Sequence, residues 1–339
     1  MAYTTIDDPT EHFNTIVYTG SGSSTSYTVG FQPDWVWVKK RDTETSNNIL
    51  VDSVRTTSKT LFSDLTDAEL TETNITSLDS NGFSAASSGA TNQSSHGYVA
   101  WNWKAGGSAS SNSDGSIASS VSANTTAGFS IVSWTGSAAN ATVGHGLGVA
   151  PKVIIVKNRA DATNWNVFHE SIGNTGSLYL NSNQGTETYQ PFWNNTSPTS
   201  SVFTVGSDGA TNGSSDAMIA YCITPIKGYS AVAKYTGNGN ADGAFVYTGF
   251  KPAWIMIKPV VTQNWQIHDL KRLGYNITNK NLSSNSTAVE AENDFMDIVS
   301  NGFKIKRADV LNVSDATYIY WAFAESPFVN SNGVPNNAK

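Results

Sequence analysis

The feature that most constrains this chain is that it repeats itself three times. Each copy opens on an aromatic-led segment ending at a glycine: FNTIVYTG to Gly20, FSIVSWTG to Gly136 and YSAVAKYTG to Gly237. A Gly-containing turn follows, then a proline, an apolar run and a lysine six residues after the proline: PDWVWVK from Pro33, PKVIIVK from Pro151 and PAWIMIK from Pro252. Counted from Phe83, Phe203 and Phe303, the ends of the copies align without a gap. Nine residues on lie Asn92, Asn212 and Asn312, and fifteen on begin YVAWNW, MIAYCI and YIYWAF. Tandem copies of one supersecondary unit set the domain plan. It reads as an N-terminal arm at 1–12, module 1 at 13–104, a Ser/Gly-rich linker at 105–128, module 2 at 129–226, module 3 at 229–328 and a tail at 329–339. Each module is about the size of one sandwich domain.

The shared segments are short, rich in Val, Ile, Trp and Tyr, and bounded by Gly, Asn, Asp and Ser, which is strand chemistry. In the last segment large side chains recur at every second residue: Val99, Trp101, Trp103; Ile219, Tyr221, Ile223; Ile319, Trp321, Phe323. That period marks a core face and makes Trp101, Tyr221 and Trp321 equivalent core positions. The intervening residues are mostly small, and Cys222 takes a place filled by Asn102 and Ala322, so it reads as an inert structural thiol. The runs after the prolines are apolar on both faces, as in a strand buried on two sides. The expectation is an all-β chain of three tandem β-sandwich modules of jelly-roll type. DLTDAELTE at 64–72 is the best helix candidate. The linker is compositionally flexible, but Ile117 and Val121 fit one face of an extra strand, so part of it is expected to order against a module. The arm and the tail have little apolar content and, if ordered, are expected to be held by neighbours.

Charge narrows the partners. With 20 Lys+Arg against 27 Asp+Glu the net charge is −7, which repels a phosphate backbone, so nucleic acid is excluded. Charged residues are only 14% of the chain, so Ser, Thr, Asn and Gly must supply the polar surface. One cysteine forbids an intrachain disulfide. No apolar run reaches the ~18 residues of a membrane helix, and the start MAYTTIDDPTEHF lacks the features of a secretory signal, so synthesis in a cytoplasm and no membrane insertion are expected.

The best candidate site follows the central strand. NWNVFHES and NWQIHDLKR align on Trp165 and Trp265, placing His169 opposite Asp269, with Asp52 of ILVDSVR in the same slot. Asp52, Trp165, His169, Trp265 and Asp269 are therefore the receptor-contact candidates, a polar slot beside an aromatic platform. The structural alternative is an ion pair closing a turn, since Arg55 and Arg272 each lie three residues after their aspartate, while copy two has Ile172 there. Catalysis is disfavoured: His169 and Glu170 are adjacent and on a strand point to opposite faces. No phosphate loop, nucleophile elbow or metal-spaced His/Cys cluster is present, so no catalytic residue and no cofactor are expected, and a metal is left open.

Taken together, YTGNG at 235–239, GF-x-P-x-W at 30–35 and 249–254, GHGLGVAPKVIIVKNR ending at Arg159, FWNNTSPTSSVF at 192–203 and YIYWAFAESPF at 318–328 carry a resemblance. They resemble repeat-bearing virion proteins of tailed bacteriophages, marine ones in particular. The resemblance covers residues 13–328 and implies sandwich modules like the laminin-G/concanavalin group. It implies a structural protein on the exterior of the virion, a tail-fibre or appendage component with an adhesin role or a capsid decoration protein. The partners it implies are other virion proteins, the chain itself as a homo-oligomer such as a trimer, and a host surface glycan or protein. It carries over no catalytic residue.

Overall fold

The three copies fold as the repeat predicts because each places its β-branched and aromatic runs between turn residues. The computed structural model describes residues 3–42, 45–272 and 276–337. Its sheets are all antiparallel, and helix among the described residues is limited to single turns at Pro9–Glu11, Gln190–Trp193 and Gly209–Asn212. In every module the opening strand (Phe13–Thr19, Phe129–Thr135, Ser230–Thr236) pairs with the closing strand (Gly97–Trp103, Ala217–Ile223, Thr317–Pro327). The closing strand pairs in turn with the central strand (Trp35–Lys40, Val153–Asn158, Phe250–Pro259), and the central strand with a fourth (Ile49–Asp52, Asn166–His169, Gln266–Asp269). A smaller outer sheet covers this inner one. It has three strands in module 1, two in module 2 and four in module 3.

The closing strand joins the first and last segments of each module, so a module is complete only when its whole sequence is present. Two shared details fix that closure. Asn92, Asn212 and Asn312 are fully buried, and each side-chain oxygen accepts the backbone N–H that follows the opening strand, from Ser21 (2.8 Å), Ser137 (3.1 Å) and Asn238 (2.9 Å). Gly20, Gly136 and Gly237 lie so close to the same loop that a Cβ would meet the carbonyl oxygens of Gln93, Gly213 and Val313 at 2.1, 2.0 and 2.2 Å. That close approach is why these strands must end on glycine.

The two faces of the inner sheets bury different things. Small positions Ala100, Ala220, Cys222 and Ala322 face the module's own outer sheet, against Phe83 in module 1, Phe203 in module 2 and Phe303 in module 3. The large alternate positions, Trp101, Tyr221 and Trp321 among them, leave the sandwich and meet one another. They join Trp35, Trp254, Phe13 and Phe129 in a single core built by all three modules. Trp35 stacks on Tyr221 (centroids 4.2 Å, 14°), and Trp103 meets Trp254 edge-on at 5.5 Å. The central strands are thus buried on both sides because one face serves the sandwich and the other the common core.

Two expectations need correction, and that for the linker holds in part. The 64–72 segment is not a helix: Asp64 Oδ1 accepts the Asn48 N–H, Glu69 N–H donates to the Arg159 carbonyl, and Leu70–Thr71 is an edge strand. Pairing with a neighbouring module overrides its local helical preference. Within 105–128 the linker is ordered against a module as expected: Ser110–Asn112 and Ser119–Asn124 are strands that extend the inner sheet of module 2 beyond its opening strand, with Val121 buried, while Ile117 lies outside them and bridges Val143. Residues 3–12 of the arm and 329–337 of the tail are held by contacts within the chain itself. Tyr3 Oη donates to the Gly249 carbonyl (2.8 Å), Thr4 Oγ1 to the Lys227 carbonyl (3.0 Å), and the Asp7 carboxylate accepts Ser331.

Candidate functional site

All five sequence-predicted contact residues, Asp52, Trp165, His169, Trp265 and Asp269, are buried, with at most 3% exposure. They line the joints between modules instead of an outer surface. The slot residue of one module meets the closing-strand aromatic of another: Tyr221 Oη donates to Asp52 Oδ2 (2.7 Å), Trp101 Nε1 donates to Asp269 Oδ2 (3.0 Å), and Trp321 packs on His169 (6.4 Å). The preceding residues bridge the same joints, Trp165 Nε1 to the Phe62 carbonyl (2.9 Å) and Trp265 Nε1 to the Tyr179 carbonyl (2.8 Å). Copy one has Asn48 in that place. Its amide donates to the Ser283 carbonyl (3.3 Å), and the indole of Trp37 on the central strand donates to its oxygen (3.1 Å). Module 2 therefore grips module 1, module 1 grips module 3, and module 3 grips module 2, a closed ring.

The lysine that marks each repeat serves the same ring. Lys39, Lys157 and Lys258 are fully buried, and each ammonium donates to carbonyls of its own loop and of the next module. Lys157 reaches Thr66 (3.0 Å) as well as Asp161 and Thr163, Lys258 reaches Asn183 (3.4 Å) and Val261, and Lys39 reaches Ser286 (3.2 Å). Desolvation lowers the pKa of all three to about 8.

Two joints carry the ion pairs that the Asp–Arg spacing implied. Asp52–Arg55 and Asp269–Arg272 both close at 2.6 Å, and each arginine continues to a carboxylate shared with the neighbouring module's arginine: Glu69 with Arg159, Glu290 with Arg41. The third joint replaces the whole set. His169, Ile172, Thr186 and Val260 stand where the others have Asp, Arg, Glu and Arg, while the backbone bond across the joint is kept, from Thr186 N–H to the Val260 carbonyl at 2.8 Å. His169 Nδ1 accepts the Ser171 N–H (3.1 Å), which leaves the proton on Nε2 to donate to the Tyr320 carbonyl (3.2 Å). Burial lowers its pKa to about 4. Glu170 points outward to Lys152 (2.8 Å), so the adjacent pair does not converge.

Several open concave surfaces lie elsewhere, and one of them is on module 2 beside its joint with module 1. A cleft of about 500 Å³ is lined by Tyr179, Tyr189, Phe192, Glu187, Asp208 and Asn164, with Thr163 and, from module 1, Thr66 at its edge. Its wall is aromatic: Phe192 is edge-on to Tyr189 (4.8 Å, 70°) and to Tyr179 (6.2 Å, 84°), and Tyr189 remains 43% exposed. Tyr179 Oη donates to Glu187 Oε2 (2.5 Å), and burial, that bond and the charges of Glu187 and Asp208 hold the phenol well above its usual range. Asp208 caps the turn at Gly209–Asn212 through the Ala210 N–H (2.8 Å). Gly206 N–H to Phe192 O (3.0 Å) ties the one-turn helix to the outer sheet. Among the described residues no group of three or more His, Cys, Asp or Glu is placed to hold a metal ion, and no helix is long and apolar enough to cross a membrane.

One family model, Domain of unknown function (DUF7483), matches residues 8–327. The chain belongs to the DUF7483 family. No curated protein matches it. The DUF7483 match starts in the arm and ends on the closing strand of module 3, so it spans all three modules of this chain. Within it, the cleft sits where copy two departs from its siblings. Counted back five residues from Phe83, Phe203 and Phe303, copies one and three have Leu78 and Ile298 in an outer strand, and copy two has Pro198. A proline cannot supply the ladder N–H. Module 2 consequently lacks that outer strand, and the one-turn helix at Gln190–Trp193 and a loop take its part of the sequence. Phe192, eleven residues before Phe203 where the other copies have Glu72 and Glu292, is the sequence signal that could have pointed to the cleft.

Proposed function

We propose that this DUF7483 chain is a structural protein of the exterior of a tailed-phage particle, a tail-fibre or appendage component that contacts the host surface and carries out no chemistry. The observation that carries this reading is the cleft on module 2. It is a concave, aromatic, pre-formed surface on a rigid scaffold, placed where one copy departs from a repeat that is otherwise devoted to packing. Its two carboxylates are engaged, Glu187 by the Tyr179 phenol and Asp208 by a backbone N–H, and no histidine is among its lining residues. That favours binding over acid–base turnover. The resemblance of the repeat strings to phage virion proteins supplies the setting.

One observation favours a second reading, a decoration or cement protein on the capsid. The arm and the tail are both tied to module 3, which gives a compact block with no shaft among the described residues. Antibody labelling of intact particles, paired with adsorption of purified protein to host cells, tests both. Label on the tail and competition with phage adsorption are expected. Label confined to capsid faces would move the assignment to decoration, and no label on particles would overturn both readings. Sustained release of reducing ends from host surface polysaccharide would overturn the binding-only part.

A further inference from the structure

The cleft on module 2 has a chemistry that selects its ligand, and we infer that it is a binding site for a neutral saccharide of one or two rings. The inference deepens the receptor-contact reading above and rests on it only for its biological purpose. Three observations converge. Tyr189, 43% exposed, offers a flat apolar ring with a phenol at the rim, backed by Phe192 and Tyr179, which are 5% and 6% exposed, a surface that suits the C–H face of a sugar ring while leaving its hydroxyls to polar partners. Facing that wall are Glu187, Asp208, Asn164 and Thr163, a set dominated by hydrogen-bond acceptors. A hydroxyl-rich ligand donates to such a set. A carboxylated or phosphorylated one is repelled by two carboxylates with no cationic side chain among the lining residues. The volume, about 500 Å³, is at the scale of a small-molecule site and far below that of a groove for a folded protein.

The walls are also held in advance of binding. Trp193 behind Phe192 donates its indole N–H to the Gly176 carbonyl (3.2 Å) and stands edge-on to Phe168 (5.9 Å). On the module 1 side, Lys157 fastens the carbonyls of both Thr66 and Thr163, two of the lining residues, so the edge of the cleft is clamped by the joint itself. Pre-organisation of this kind lowers the ordering cost of a weak ligand. Copies of the block on one particle would then multiply weak contacts through effective concentration.

The test uses the full-length chain and free sugars: glucose, galactose, mannose, N-acetylglucosamine, lactose and cellobiose, with glucuronic acid and N-acetylneuraminic acid as anionic comparators. Saturation-transfer NMR and titration of intrinsic fluorescence are the readouts. At least one neutral sugar is expected to bind with a Kd on the order of 1 mM. The acids are expected to bind at least about tenfold more weakly, and Tyr189→Ala to weaken the neutral sugar by about tenfold with an unchanged melting temperature. Because Tyr189 is exposed, that variant keeps the fold, and Phe192→Leu provides a second check on the wall. Absence of binding by every neutral sugar, equal binding of the acids, or full binding by Tyr189→Ala would overturn the inference. Host-cell adsorption, measured in parallel with the same variants, separates the two claims. Adsorption unaffected by Tyr189→Ala removes the cleft and leaves the appendage role, whereas sugar binding without adsorption keeps the site and removes the role.

Discussion

At the scale of single residues, the repeat anchors are joints. The sequence makes Asp52, His169 and Asp269 equivalent, and the structure uses them equivalently, each beneath the closing-strand aromatic of another module. What the sequence does not carry is which sheet face an alternating pattern turns to which partner. Large residues at every second position mark a buried face, yet period two is the same whether that face meets a covering sheet or a second module. The fully buried lysines were equally illegible, since a lysine after an apolar run reads as a solvated strand end until three carbonyls surround it. Burial of titratable groups leads to a pH prediction. His169 and His268 have folded pKa values lowered to about 4 and about 3 by desolvation. Between those values and the ordinary ~6.5 the unfolded chain binds more protons than the folded one, so stability is full above about pH 6.5 and falls as pH drops toward 4. Urea midpoints from pH 7.5 to 4.5 should decline, and His169→Gln should flatten the slope; a slope unchanged in that variant would show that His169 does not contribute. For the lysines the sign is the same at higher pH: folded values near 8 against 10.5 mean that their contribution grows between pH 8 and about 10. Lys157→Met should lower stability by about 1–3 kcal/mol at pH 7, because the carbonyls of Thr66, Asp161 and Thr163 lose their shared donor. A midpoint equal to that of the unmodified chain would contradict this clasp role.

At the scale of elements, the three joints are one design in two chemistries. Two hold Asp–Arg–Glu–Arg sets, and the third holds His–Ile–Thr–Val at the same positions with the same backbone bond. The Asp–Arg spacing at 52/55 and 269/272 and its loss at Ile172 were visible in the sequence. The shared glutamates and the second arginines were not, because they come from segments distant in the chain. Buried ion networks cost desolvation and are costly mainly to break. Glu69→Gln leaves Arg55 and Arg159 facing each other and should cost about 3–5 kcal/mol. Transplanting the neutral set into that joint, with Asp52→His, Arg55→Ile, Glu69→Thr, Arg159→Val and Tyr221→Trp together, should cost less than Glu69→Gln alone. Chemical denaturation of the two proteins decides it, and a transplant less stable than the single variant would show that the joints are not interchangeable. The outer sheets show the same logic on the exposed side. Strands at Ile75–Asp79 and Ala291–Val299 form in modules 1 and 3, and their counterpart fails at Pro198.

For the molecule as a whole, three sandwich units were legible from spacing alone, and their arrangement was not. A Ser/Gly-rich stretch between copies one and two and a short Pro225–Gly228 link between copies two and three do not say how the modules sit together. In the folded chain the link is a short connection, the stretch adds two strands to the inner sheet of module 2, and the contact between modules 1 and 3 closes the ring without a covalent neighbour. The aromatic content explains why. Trp35, Trp37, Trp101, Trp103, Trp254, Trp265 and Trp321 all lie in the shared core, a load that no single ~95-residue sandwich needs. A module released from its partners would expose that face, which is far more apolar surface than a soluble monomer tolerates. The ring should therefore unfold as one unit. Differential scanning calorimetry of the intact chain tests this most directly: a single transition is expected, with calorimetric and van't Hoff enthalpies equal within error. Two or three resolved transitions, or a van't Hoff enthalpy near one third of the calorimetric value, would show three independent modules and contradict the shared core as the organising element of the fold.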